Sequence, residues 1–209
     1  MSITAEHRDI LAELINVGLG HAAGQLNDMF GLPVALEIPS VDLLLPNEVE
    51  ETLREKFGAR VSAVSLDFSG SLVGTASLVL PTESALRLIS ALDEEDMDAV
   101  NSEPMPQRGP SEPDDTLEEV GNILINSVLG AVANGLGQHL VFSVPETVED
   151  PMGRIAIADN STSEDSRILF AQTGFSIKHL LVSGSITLLF QIGSVDALLE
   201  AIDNIDLDT

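Results

Sequence analysis

Two runs of this 209-residue chain, Asp9-Ile-Leu-Ala-Glu13-Leu-Ile-Asn16 and Asp115-Thr-Leu-Glu-Glu119-Val-Gly-Asn122, share one spacing of acid, acid and amide. Pro39 and Pro145 each follow the amide by 23 positions, and all four positions recur at one offset of 106. At about 5% for each residue type, one such match has a chance of about 10⁻⁵ per starting position, and a second in phase is rarer still. Duplication accounts for the repeat, so it establishes kinship of two halves before it establishes function. Chemically, two carboxylates and an amide can offer oxygen ligands to a hard cation, or charge and hydrogen bonds to a partner.

At about 100° per residue, Asp9, Glu13 and Asn16 fall near 0°, 40° and −20° around a helix axis, one narrow stripe. Ile10, Leu11, Leu14 and Val17 occupy roughly 80° to 200°, an apolar face to turn toward a core. Gly20, Ala23 and Gly24 continue the polar stripe. Each helical glycine costs about 1 kcal/mol relative to alanine, so these small residues either admit another surface or serve tight internal packing.

The elements that must position the two stripes follow from period and punctuation. The pattern predicts a helix over Glu6–Met29, a strand over Val34–Leu45, a short charged helix over Asn47–Phe57, strands over Val61–Phe68 and Leu72–Leu80, and a helix over Thr82–Leu92. Asp93–Asp114, with four prolines and an acidic cluster, reads as a solvated linker. The order then repeats: a helix over Asp115–Leu136, strands over Leu140–Val144, Ile168–Ile177 and Leu180–Phe190, and a helix over Ser194–Ile202. Leu72-Val-Gly-Thr-Ala-Ser-Leu-Val-Leu aligns with Val182-Ser-Gly-Ser-Ile-Thr-Leu-Leu-Phe through Gly74 and Gly184. The expected fold is α+β, one pseudo-two-fold domain over 1–209. Its α-β-β-β-α halves, about 5–93 and 114–203, share a sheet core and are joined by an acidic, proline-rich linker at about 94–113.

Composition narrows the function. A formal charge of −25 opposes nucleic acid and anionic membrane surfaces as partners. Zero cysteines removes disulfides and thiolate chemistry. Val120–Pro145 has no formally charged side chain, but Asn122, Asn126, Asn134, Gln138 and His139 make a lipid-exposed helix expensive, so no membrane span is expected. The opening residues hold no apolar signal core, and the expected location is the cytoplasm.

The doubled motif resembles that of the CheC, CheX and FliY family of response-regulator phosphatases: Asp or Ser, three residues, Glu, two residues, Asn, then 22 residues and Pro. Both copies match every position, and Asn16-Val-Gly-Leu-Gly-His-Ala-Ala and Asn122-Ile-Leu-Ile-Asn-Ser are similar to the family's helix sequences. Two intact sites resemble the CheC branch more than CheX, which carries one per chain. The resemblance implies that Asn16 and Asn122 orient a water for in-line attack on the aspartyl phosphate of a CheY-like response regulator, while Glu13 and Glu119 dock the partner. Asp9 and Asp115 would support the site. An amide is too weak a base to take a proton, but it fixes a water by donating and accepting hydrogen bonds. Pro39 and Pro145 would shape the start or edge of a strand beside the helix. The receptor deamidase CheD is a second candidate partner on the same resemblance.

Other readings are weaker. Mg²⁺ or Ca²⁺ wants roughly six to eight oxygens and the stripe offers few, so no metal is expected on this chain and Mg²⁺ is expected to arrive with the regulator. His7, His21, His139 and His179 show no paired ligand spacing. Gly18-Leu-Gly20 lies inside a helix and not at a helix start, so it is no phosphate loop. Singly, each acid is an ordinary solvated helix residue and each Asn an ordinary amide bonded to backbone. A non-catalytic adaptor that uses the stripes to bind a regulator, CheD or the flagellar switch is the competing class.

Overall fold

Thr4 stops an extended segment and starts the first helix because its hydroxyl accepts the His7 backbone N–H at 3.1 Å, while His7 Nδ1 accepts the Thr4 N–H at 3.4 Å. That reciprocal pair satisfies two donors that a helix start otherwise leaves open. The helix, α1 (Ala5–Phe30), ends where Gly31 takes a left-handed φ of 59°. The computed structural model describes residues 3–57, 61–99, 113–148 and 168–205.

Strands β1 (Ala35–Leu36) and β2 (Ser40–Leu44) follow, then α2 (Pro46–Phe57), β3 (Val61–Gly70), β4 (Gly74–Pro81) and α3 (Thr82–Ala99). The second half has α4 (Pro113–Gly135), β5 (Leu140–Phe142), β6 (Glu146–Val148), β7 (Ile168–Ile177), β8 (Val182–Phe190) and α5 (Ile192–Ile205).

The expected single strands Val34–Leu45 and Leu140–Val144 are each broken or cut short before a proline. β1 stops at Leu36 and β2 restarts directly after Pro39; β5 stops at Phe142 and β6 starts directly after Pro145. Proline has no N–H to give a ladder, which explains the same interruption in both halves. The acidic run Asp93–Asp98, expected in the linker, continues α3 to Ala99. It contains no glycine or proline to stop the helix. α4 likewise begins two residues early, on Pro113, a residue suited to a first helical turn. The rest of the expected linker, including Pro104, Pro106 and Pro110, lies outside the described residues. The last long strand begins at Val182, because Lys178–Leu180 form a 3₁₀ turn.

The described strands join one antiparallel sheet in the order β1-β7-β8-β4-β3-β5, with β2 also on β7 and β6 also on β3. The halves exchange strands: β1 and β2 of the first pair with β7 of the second, and β5 and β6 of the second pair with β3 of the first. At the centre, β4 pairs with β8, and Ser77 faces Thr187. These two lie three residues after Gly74 and Gly184, so equivalent residues meet and the pseudo-two-fold axis passes between them.

The two aligned glycines have a packing cause. Gly74 pairs with Phe68 and Gly184 with Phe175, and a Cβ would lie 2.3 Å from the Phe68 ring and 2.7 Å from the Phe175 ring. Each phenylalanine lies across its glycine, and Phe68 meets Phe190 edge to face at 5.4 Å.

Helices α1, α3, α4 and α5 cover one face of the sheet, with α1 against α4, α3 beside α4 and α5 beside α1. Their core includes Leu11, Ile15, Leu19, Leu26, Val120, Leu124 and Val128 from the two long helices, and Leu66, Leu78, Ile186 and Leu188 from the sheet. Burying one such side chain is worth about 1.5–3 kcal/mol. On the opposite face Val49 and Leu53 of α2 pack on Ile168, Phe170 and Leu189. Leu14 lies against Gly135, whereas Gly18 lies against Ser127, Val128 and Ala131, so α1 and α4 run antiparallel.

A Cβ on Gly18 would sit 2.5 Å from Val128 Cα and 2.6 Å from the Ser127 carbonyl oxygen, whereas one on Gly24 would meet nothing within 4 Å. Gly18→Ala should therefore cost about 1–3 kcal/mol in urea unfolding through overpacking. Gly24→Ala should be neutral or stabilising by up to about 1 kcal/mol. The reverse order would contradict this helix contact.

Candidate functional site

The two helices expose the repeated stripe. Asp9, Glu13 and Asn16 on α1 and Asp115, Glu119 and Asn122 on α4 are all exposed. They are exposed because α1 turns Leu11, Ile15, Gly18, Leu19, Ala22, Ala23, Leu26 and Phe30 inward, a face that adjoins the stripe and does not include it. That face is rotated from the expected one. Val17, expected inside, is 44% exposed beside Asn16, and Ala23, expected on the polar stripe, is buried. Gly20 and Gly24 are exposed with open space around them, so the tight-packing reading applies to Gly18 and Gly121 instead.

The triplets form two separate places. Residues of α4 that face the Leu14–Gly18 stretch of α1 lie between Ser127 and Gly135. At 1.5 Å per residue, that is about 8 Å or more along the helix from Asn122. Each helix is tied near its amino end to its own half's second short strand. Arg8 Nε donates to the Val41 carbonyl at 3.0 Å, and its guanidinium lies 3.9 Å from Asp42. On α4, Glu118 Oε1 accepts from Thr147 N at 3.0 Å and from Thr147 Oγ1 at 3.2 Å. Val41 and Thr147 are equivalent residues at the 106 offset, so each tie holds a motif helix beside a strand that follows a motif proline.

Pro39 is buried and Pro145 half-buried, each directly ahead of its strand, the position expected of them. Ile38 and Val144, which precede them, are 91% and 77% exposed and are also related by the 106 offset. Sequence reading passed over both, although a β-branched residue before each motif proline was visible in the repeat.

Among the described residues, Asp9, Glu13, Asp115 and Glu119 form no ion pair. Asn16 likewise makes no side-chain hydrogen bond among the described residues, whereas Asn122 Oδ1 accepts from Asn126 Nδ2 at 2.5 Å. From sequence Asn126 entered as one of several polar residues opposing a membrane span and as part of the Asn122-Ile-Leu-Ile-Asn-Ser run, without a role of its own. Its spacing of four from Asn122 is the signal that could have found it. Among the described residues no group of three or more His, Asp or Glu side chains could hold a metal ion, and no helix is long and apolar enough to cross a membrane.

No protein-family model matches the chain. The chain is 29% identical over 159 residues to the CheY-P phosphatase CheC of Bacillus subtilis (strain 168), a match covering 73% of this chain and 71% of that protein. FliY of Thermotoga maritima superposes with a TM-score of 0.69 at 16% identity, covering 98% of this chain and 100% of FliY. The FliM–SpeE complex from H. pylori contains a chain with a TM-score of 0.70 at 12% identity, with 99% of each chain covered. CheX from Desulfovibrio desulfuricans gives 0.51 at 12% identity over 86% of this chain and 99% of CheX. The chain has the CheC/CheX/FliY type of fold. Its mixed α/β fold is the one that FliY, the FliM–SpeE chain and CheX share, and its sequence is similar to that of CheC.

The ties and the stripe separate neighbouring acids of this CheC-like helix. Glu118→Ala should cost about 1–3 kcal/mol in urea unfolding, because it leaves the part-buried Thr147 N–H without its acceptor. Glu119→Ala, one residue on and exposed, should change stability by less than about 0.5 kcal/mol. Equal effects would mean that Glu118 does not hold α4 to β6.

Proposed function

We propose that this protein is a phosphatase that hydrolyses the aspartyl phosphate of a phosphorylated CheY-like response regulator, at two sites. The observation that carries the reading is the complete Asp/Glu/Asn triplet, present twice and exposed both times on a long helix. Similarity to a CheY-P phosphatase over most of the chain supports it. In this reading residues 1–209 act as one pseudo-symmetric cytoplasmic unit.

The docked helix presents Asn16 or Asn122 to the regulator's phosphorylated carboxylate. The amide holds a water by donating and accepting hydrogen bonds and lines it up with the phosphorus. Water attacks, the bond between phosphorus and the carboxylate oxygen breaks, and inorganic phosphate leaves with the regulator's aspartate restored. Mg²⁺ belongs to the regulator's own phosphorylation site, and this chain supplies position. Glu13 and Glu119 meet a cationic side chain of the regulator, and Asp9 and Asp115 add to the negative potential that orients it.

A second reading draws on the FliM-containing structures. A chain of the FliM–SpeE complex and a chain of the FliG–FliM complex, both from H. pylori, match the fold with TM-scores of 0.70 and 0.64. By that analogy the same exposed stripes would bind a regulator, CheD or a switch component without hydrolysis. Retention of the amide in both triplets, where a docking surface needs only charge, favours the phosphatase.

Phosphate release from a Mg²⁺-loaded, phosphorylated regulator decides between them. Asn16→Ala or Asn122→Ala alone should leave activity from the other site. The double variant should lose about 100-fold or more while still binding, as expected when a positioning group is removed. Wild-type release by a well-folded double variant would defeat the hydrolytic mechanism.

Glu13→Gln and Glu119→Gln should each weaken regulator affinity by about two- to fivefold, the range of exposed charge pairs, with little effect on unfolding. Unchanged affinity and turnover in the double Glu variant would remove their docking role.

A further inference from the structure

Both copies of the triplet are complete, yet the residue one helical turn beyond the amide differs: Asn126 follows Asn122 by four, and Gly20 follows Asn16 by four. Residues so spaced are neighbours on a helix surface. Asn126 Nδ2 donates to Asn122 Oδ1, and Asn126 Oδ1 is buried with no partner. Turning both amides over would put two N–H donors in that buried place instead of one acceptor, which proteins tolerate less. The bond therefore has a direction. It occupies the Asn122 carbonyl from one side and leaves both Asn122 N–H donors free.

The first site has no counterpart. A Cβ on Gly20 would meet nothing within 4 Å, and the Asn16 amide is exposed without a hydrogen bond among the described residues. An untethered Asn on a helix samples about two χ1 wells and two χ2 faces, about four arrangements. A tethered one is held in a single arrangement.

We propose that Asn126 is a positioning residue that presets the Asn122 amide, and that the two sites are inequivalent because Gly20 leaves Asn16 free. The proposal rests on the reading of these amides as water-orienting groups. If one arrangement in about four is productive, the second site turns over about fourfold faster than the first, at the same KM.

Single-site proteins test it against the Mg²⁺-loaded, phosphorylated regulator. Asn16→Ala leaves the second site alone and should show about fourfold higher kcat than Asn122→Ala, which leaves the first. Adding Asn126→Ala to the former should abolish that advantage with KM unchanged. Adding Gly20→Asn to the latter should raise kcat about fourfold, whereas Gly20→Ala, which lacks the amide, should not. Gly20→Asn keeps the test decisive should Asn126→Ala disturb folding.

A second measurement needs no regulator: ¹⁵N relaxation of the side-chain amides should show Asn122 more ordered than Asn16, and Asn126→Ala should erase the difference. Equal order of the two amides, a kcat indifferent to Asn126→Ala and Gly20→Asn, or an effect confined to KM would overturn the proposal. If both single-site proteins are inactive while the amide order behaves as described, the hydrolytic reading falls and the tether stands.

Discussion

The close antiparallel contact of α1 with α4 is the constraint on which the remaining arrangement depends. Gly18 lets the α1 backbone approach Val128 and Ser127 at a distance no side chain would permit. Once the helices meet there and on the sheet, Leu11, Ile15 and Leu19 of α1 and Val120, Leu124 and Val128 of α4 are committed to the core. The acids and amides outside the buried face of each helix are then committed to solvent. Exposure of the two triplets follows from the burial of their neighbours.

The exchange of short strands does for the sheet what the helix pair does for the core. Because β1 and β2 complete the edge beside β7, and β5 and β6 the edge beside β3, the outer strands of each half are hydrogen-bonded by the other half. Neither half could satisfy its backbone groups in the same way alone. The motif prolines stand at the break between the paired short strands in both halves. There they lack only a hydrogen bond that the break has already removed. Their link to the triplet runs through the strand that follows: Val41 and Thr147 are the residues to which Arg8 and Glu118 tie the motif helices.

Pseudo-symmetry sets the frame and local sequence then departs from it. The first helix is tied by a guanidinium to a carbonyl, the second by a carboxylate to an N–H and a hydroxyl. A duplicated scaffold keeps the large terms, core burial and ladder pairing, and leaves single polar contacts free to diverge. The residue one turn beyond each motif amide is such a contact.

Much of this was legible in the chain alone. The 106-residue offset, the stripe angles and the order of elements come from periodicity and spacing, which local geometry sets, and the α+β fold with two long motif helices followed from them. Tertiary contact decided what periodicity does not encode. Val17 lies outside and Ala23 inside because the neighbouring helix and sheet fix how far α1 is rotated, and a wheel of angles has no fixed zero. Gly18 is the packing glycine while Gly20 and Gly24 face open space, since only the position of α4 distinguishes them. Which strands of one half pair with the other likewise required residues far apart in sequence to be placed. The residue types and their repeat were determined by the sequence; their partners were chosen by packing, because burial and hydrogen-bond satisfaction are properties of the assembled chain.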